Sequence, residues 1–218
     1  MRVFHFINAE YGLENLRKRR LKIATLMELN DPFELFGVNL VNEAMRHAFR
    51  VMKEELATKR GLLCFSRGWH NPVQWSHYAA KHTGLCLGFD VPDECLGPVT
   101  YSRKRLVVEA ESLLRPRQLT PEVAIKFLFT KYAHWRYENE VRCFVTLEEK
   151  DTEKDMYFAP FSEKLQLAMV IVGAQSTISR KDIRDALGKL APSVEAFKAR
   201  LAFRSFRVVR QRKSSLWV

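Results

Sequence analysis

The chain has 218 residues, with 36 Lys and Arg against 25 Asp and Glu, a formal net charge of +11 and a pI near 9.7. That length fits one domain, and 47% hydrophobic residues suffice for a core of ordinary size. With 9 Gly and 8 Pro, fewer than the ~12% of an average chain, and no apolar run near the ~18 residues of a membrane span, a collagen-like chain, wholesale disorder and a spanning helix are excluded.

Residues 2–7 alternate as a strand, and Glu10 to Arg19 reads as a short helix with Tyr11, Leu13 and Leu16 partly buried. A short strand follows near Leu21 to Thr25. Asn30-Asp31-Pro32-Phe33-Glu34 is a turn or helix start, because an Asx side chain caps free N–H groups and Pro fixes φ. Val41, Met45, Ala48, Phe49, Met52 and Leu56 recur at helical spacing, which predicts an amphipathic helix over 39–58. Gly61 to Ser66 is a strand, Pro72 to Lys81 a helix, and Gly84 to Asp90 another strand. A basic, irregular stretch covers 99–118, and Thr120-Pro121-Glu122 starts a helix that runs to about Tyr132. Glu140 to Leu147 is a strand with Val141, Cys143, Val145 and Leu147 on one face, followed by strands at Met156 to Phe161 and Leu167 to Gly173. Ser179 caps a helix from Arg180 to Leu190, and Phe206 to Gln211 closes the sheet.

Strands and helices mix without a steady βαβ rhythm, so the expectation is an α+β fold: one compact domain over 1–218, mixed or antiparallel sheets and flanking helices. The segment 196–218 holds seven Lys and Arg and no acidic residue, which suits a phosphate-binding appendage and equally a solvated basic strand. Cys64, Cys86, Cys95 and Cys143 lack CxxC spacing, and the N-terminus enters strand alternation at once. Buried thiols, a cytoplasmic location and no membrane partner are therefore expected.

GxGxxG, P-loop, GxSxG and HExxH motifs are all missing, which removes the simplest dehydrogenase, NTPase, hydrolase and zinc-protease readings. His77 and His82 lie five apart, a poor spacing for one helical face, so no metal site is expected. Three separated strands carry the more informative residues. The first holds His5 between Phe4 and Phe6. The second ends Cys64-Phe65-Ser66 and leads to Trp75, Ser76, His77 and Tyr78. The third begins Glu138-Asn139-Glu140-Val141. A polar residue on an apolar strand, an aromatic on the next helix and a distant carboxylate suggest a small-molecule cleft. Each also has a plain structural explanation: core hydrogen bonding for His5, packing for Trp75 and Tyr78, and pairing of Glu138 and Glu140 with Arg136 and Arg142.

Asn30-Asp31-Pro32-Phe33-Glu34, Cys64-Phe65-Ser66, Trp75-Ser76-His77-Tyr78-Ala79, Gly84-Leu85-Cys86-Leu87-Gly88-Phe89-Asp90 and Trp135-x-Tyr137-Glu138-x-Glu140-Val141-Arg142 together resemble the prokaryotic family catalogued as domain of unknown function 2971, over about residues 3–175. The same series resembles the ADP-ribosyltransferase superfamily. There a first strand carries His or Arg, a second ends in an aromatic and a small polar residue, a helix supplies Tyr, and a late strand starts with Glu. This chain departs from the superfamily in following His5 with Phe6-Ile7 instead of Gly-Ser or Gly-Thr, and in its Asn-Asp-Pro-Phe-Glu segment.

The resemblance implies an ADP-ribosyltransferase-like enzyme that uses NAD as substrate. Glu140 and His5 would be catalytic, with Glu140 stabilising the oxocarbenium-like transition state. His5, Ser66, Trp75 and Tyr78 would bind NAD, Tyr78 stacking on the nicotinamide, and Asp31 or Glu138 would activate the acceptor. The +11 charge makes nucleic acid the favoured acceptor, in a toxin or phage-defence setting. The alternative is a nucleic-acid-binding module that stacks bases on its aromatic residues and grips phosphate with its basic segments.

Overall fold

The computed structural model describes residues 1–31, 33, 43–106 and 126–217. In chain order these form β1 (Arg2–Ile7), α1 (Ala9–Lys18), β2 (Arg20–Thr25), α2 (Glu43–Lys59), β3 (Arg60–Ser66), α3 (Pro72–Tyr78), β4 (Leu85–Asp90), β5 (Gly97–Pro98), β6 (Thr100–Ser102), β7 (Thr130–Tyr132), β8 (Glu140–Thr146), β9 (Tyr157–Pro160), β10 (Gln166–Val172), α4 (Arg180–Leu187), β11 (Glu195–Leu201) and β12 (Val208–Arg210). The fold is α+β, with a large mixed sheet and few helices. Its contacts divide the chain into two units that alternate along it. The first comprises Met1–Lys22, Phe65–Glu94 and Phe158–Val218, the second Ile23–Cys64 and Cys95–Tyr157. Among the described residues no helix is long and apolar enough to cross a membrane.

In the first unit the strand order is β12-β11-β10-β4-β1, with Ser66 at the end of β3 paired to Phe4. β1 and β4 run antiparallel from Arg2↔Asp90 to Ile7↔Leu85. β4 and β10 are antiparallel with an irregularity between Leu167 and Met169, β10 and β11 parallel, and β11 and β12 antiparallel. A strand flanked on both sides and covered on both faces carries an unbroken apolar run. Accordingly Leu85, Cys86, Leu87 and Phe89 of β4 and Val170, Ile171 and Val172 of β10 are fully buried. The return from β10 to β11 passes through α4, whose start is fixed by a reciprocal capping box between Ser179 and Asp182. α1 begins at Asn8, whose side chain accepts from the Tyr11 N–H, and lies against β4 and α4. Leu16 is buried and Leu13 half-buried as expected, while Tyr11 is exposed.

Three expectations are corrected here. The helix predicted to reach Lys81 stops at Tyr78, because Ala80, Lys81 and His82 all take left-handed φ angles of 45°, 55° and 69°. Such angles cost about 1–2 kcal/mol each for a residue with a Cβ. Hydrogen bonds from Lys81 N–H to Ser76 O, His82 N–H to Trp75 O and Gly84 N–H to Ala79 O hold them in place. The Arg180 helix ends at Leu187 and tightens into a 3-10 turn over Gly188–Leu190, with Gly188 at φ 51°. Third, Glu195–Leu201, where the basic segment begins, is a strand as one of the two expectations had it, but a partly buried one, with Phe197 and Ala199 facing the core.

In the second unit Ala24 and Thr25 of β2 pair antiparallel with Leu62 and Gly61 of β3, while β8 pairs with β3 and β5. β6 and β7 form a separate parallel pair. Leu26, Leu62 and Phe127 make the core of this unit, with Met52 and Leu56 of α2 and Phe144 of β8 against it. The helix expected from Thr120 to Tyr132 begins outside the described residues. It is helical at 126–128, then gives way to β7, where the Thr130 hydroxyl donates to Lys126 O at 2.6 Å. Residues 39–42 of the second predicted helix, Pro32 and Glu34 of the Asn-Asp-Pro-Phe-Glu segment, and 107–118 of the basic stretch also lie outside the described residues.

Two glycines permit the tight return into β4. A Cβ on Gly84 would lie 2.2 Å from Ile7 O, and one on Gly173 2.1 Å from His82 O. The neighbours are backbone atoms, which cannot swing aside as a side chain can. Gly84→Ala is therefore expected to lower stability by about 1–3 kcal/mol, read as an earlier urea midpoint with an unchanged slope.

Candidate functional site

The second unit contains a buried cluster of charges built from two short strands. Glu140 and Arg142 occupy alternate positions of β8 and so share a face of the strand. A 3-10 turn over Ala133–Glu138, closed by Asn139 at φ 46°, delivers Glu138 just before them. Lys131 of β7 is placed between the two carboxylates: its Nζ is 2.6 Å from Glu138 Oε2 and 3.2 Å from Glu140 Oε2. Arg142 grips Glu140 through Nε at 2.8 Å from Oε1 and Nη2 at 3.1 Å from Oε2, and its Nη1 donates to Leu128 O. The Tyr101 hydroxyl accepts from the Glu140 backbone N–H at 2.8 Å. All four charged residues are at most 6% exposed, and the two cations balance the two anions.

The electrostatics follow from that balance. Burial pushes the Glu140 carboxyl up, but the Arg142 guanidinium and the Lys131 ammonium outweigh it and hold the group below the usual carboxylate value. Burial and the neighbouring carboxylates push the Tyr101 phenol up to about 12. Burial, reinforced by Glu140, also raises the Cys64 thiol well above its ordinary value. Cys64 is thus a neutral thiol at pH 7, not a nucleophile.

Lys131 also lines a cavity of about 360 Å³ together with Arg103, Lys104, Arg105, Phe33 and Tyr132. Arg105 lies over the Phe33 ring at 5.0 Å, and Lys131 lies 5.0 Å from the Trp135 ring centroid. This cavity is cationic and has aromatic walls.

Of the residues singled out in the sequence, Glu138 and Glu140 meet in this cluster. Asp31 belongs to the same unit and is 2% exposed. Its Oδ1 accepts from the Phe33 N–H at 2.9 Å, while Oδ2 has no hydrogen-bond partner among the described residues. His5, Ser66, Trp75 and Tyr78 belong to the first unit. His5 meets Phe65 edge to face, with centroids 6.1 Å apart. The buried Ser66 hydroxyl donates to Gly68 O at 2.9 Å and accepts from Gly68 N–H at 3.2 Å. Trp75 is fully buried against Phe6, and its indole N–H donates to Trp69 O at 2.6 Å. Tyr78 is half-buried and edge-on to His77. Among the described residues no three His, Cys, Asp or Glu side chains stand together as a metal site.

Sequence reasoning passed over Lys131 and, in a second group whose other cations belong to the basic segment 196–218, Arg180. Lys131 carries no local signal, because Thr130-Lys131-Tyr132 is too short to show a period; the partnership of Glu140 with Arg142, by contrast, is the pairing that strand spacing suggests. The second group lies in the first unit. Arg180, Lys198, Arg210, Arg212, Lys213 and Trp217 line a cavity of about 300 Å³. Arg180 is fixed by bonds from Nε to Trp217 O at 2.6 Å and from Nη2 to Ser214 O at 3.0 Å, and Lys198 by a bond to Ser176 O at 2.9 Å. Arg210 pairs with Glu195. It alone of the five cations has an acidic partner among the described residues.

A carboxyl whose native pKa is depressed contributes stability above its unfolded value, and that contribution is lost as pH falls through the native value. Wild type is therefore expected to melt above Glu140→Gln at neutral pH. The gap should close as pH drops below 4.5, the ordinary value, as read from Tm against pH for the two proteins.

No protein-family model, curated protein or solved structure matches the chain, so function is read from the chemistry of these residues.

Proposed function

We propose that this protein binds nucleic acid, gripping phosphates with the cationic cavity of its first unit. The observation that carries the reading is the set of five cations around about 300 Å³, with Glu195 on Arg210 as their one carboxylate partner among the described residues. Like charges gathered without compensation repel one another, and a polyanion relieves that cost. Backbone carbonyls hold Arg180 and Lys198 in place, so little ordering is left for the moment of binding. The seven basic residues and absent acids of 196–218 extend the same field. Phosphate contacts of this kind are insensitive to base sequence and steeply sensitive to salt.

The reading is tested with a fluorescent oligonucleotide titrated across salt concentrations. Wild type should bind with log Kd rising linearly against log salt. Arg212→Ala with Lys213→Ala should weaken binding alike on all sequences and flatten the slope by about 1.5, the loss of two phosphate contacts. An unchanged slope would remove the cavity from the reading.

A second reading, NAD-dependent ADP-ribosyl transfer, is favoured by one observation: Glu140 is held ionised by Arg142 and by Lys131, and Lys131 itself lines a cationic cavity of about 360 Å³. The cavity's charge suits a pyrophosphate, and an ionised carboxylate suits an oxocarbenium ion. It ranks second because both Glu140 oxygens are already engaged by cations and the residue is 6% exposed. On this reading calorimetry detects NAD⁺ binding to wild type and its loss in Arg103→Ala/Arg105→Ala, which removes two cations from that cavity. No heat at millimolar NAD⁺ withdraws it.

A further inference from the structure

The hairpin that supplies Lys198 and Arg210 to the cationic cavity ends in an unusual tip. β11 and β12 pair through Ala199↔Arg210, Arg200↔Val209 and Leu201↔Val208, and a bond from Ala202 N–H to Arg207 O closes the turn. Within that turn Phe203 is 91% exposed and Phe206 99%. Among the described residues no other exposed large apolar side chain exceeds 59%. A phenylalanine left in water forgoes the gain that buried side chains of its kind provide, so two of them on one turn call for a partner.

The neighbours of the two rings indicate what that partner is. The turn reads Arg200-Leu201-Ala202-Phe203-Arg204-Ser205-Phe206-Arg207, with aromatic and cationic residues interleaved and no acid. Arg200 lies over the Phe203 ring at 4.6 Å, and neither Arg204 nor Arg207 has an ion pair among the described residues. The cations are all arginines, whose planar guanidinium both forks a phosphate and stacks on a flat ring. The last strand pair before the turn is clamped: the Val208 N–H donates to His70 O at 2.8 Å, and His70 Nδ1 is 2.7 Å from Val208 O. A fixed stem therefore presents two free rings amid arginines.

We infer that Phe203 and Phe206 form a base-stacking platform for single-stranded nucleic acid, with Arg200, Arg204 and Arg207 on the adjoining phosphates. The inference rests on the nucleic-acid reading above and names its substrate class. Stacking needs bases whose faces are open, which a single strand offers and an intact duplex does not. The interfacial belts of membrane proteins favour Trp and Tyr over Phe, so a bilayer fits this tip less well.

The test uses the full chain, a strand of about 16 nucleotides carrying 2-aminopurine, its duplex, and the double variant Phe203→Ala/Phe206→Ala. Both rings are exposed, so the variant should melt with wild type. Wild type should prefer the single strand and quench 2-aminopurine. The double variant should lose about tenfold or more in affinity and lose the quenching. Its salt slope should stay unchanged, because phenylalanine releases no counterions. If wild type fails to bind any strand at low salt, the nucleic-acid reading itself falls. If wild type binds and the double variant binds as tightly, the platform alone falls. Sedimentation of wild type with phosphatidylserine vesicles, lost in the double variant while strand binding persists, would overturn the inference in favour of a membrane surface.

Discussion

Glu140 can leave water only if cations go with it, and that requirement organises the second unit. An isolated carboxylate in a low-dielectric interior costs several kcal/mol even after relaxation. Here the compensation arrives from separate stretches of chain: Arg142 two positions along β8, Lys131 from β7, and the Tyr101 hydroxyl from β6 on the backbone N–H. Each of these strands is only three to seven residues long. Pieces so short have little cohesion of their own. The charges supply a register that the brief ladders cannot, because slipping β8 by one residue would turn Glu140 and Arg142 to the opposite face.

The first unit is governed by the other half of the same physics. β4 and the second half of β10 hold almost nothing polar, and their side chains are shut away from water. Its charge problem is displaced to the end of the chain, where cations accumulate without acids. Aliphatic strands set the scaffold, and β11 and β12 extend it as a rim on which basic residues gather. The buried core of the second unit thus neutralises its charge internally, whereas the end of the first leaves cations outward with few acids.

Much of this scaffold was legible because its strands are long enough to show a period. β1, β3, β4 and β10 and the helices α1 and α2 stand within a few residues of where apolar spacing puts them. The failures share a cause. β11 was hidden because its core-facing residues include Ala199, too small to mark a face, while Lys198 and Arg200 dominate its composition. β6 and β7 are three residues each, shorter than a period-two pattern needs. α3 ends early through a run of left-handed residues that no side chain announces. At the candidate sites, the strand spacing of Glu140 and Arg142 was readable, whereas Lys131 reaches them from a segment whose pairing depends on the tertiary fold. Trp75 shows the converse: its residue type fitted a ligand platform and packing alike, and in the fold it is fully buried against Phe6.

The alternation of the two units along the chain has a consequence for synthesis. Every residue of the second unit has been polymerised once Tyr157 is made, whereas the first still lacks Phe158–Val218. At about 5–20 residues per second that last segment takes several seconds to appear. From the completion of β4 until β10 is translated, β4 has β1 on one side and an unpaired apolar edge on the other. Such an edge is a template for pairing with a foreign strand. The nascent chain is therefore most vulnerable to aggregation in the window between residues 90 and 166, and a chaperone that shields extended apolar segments would act there.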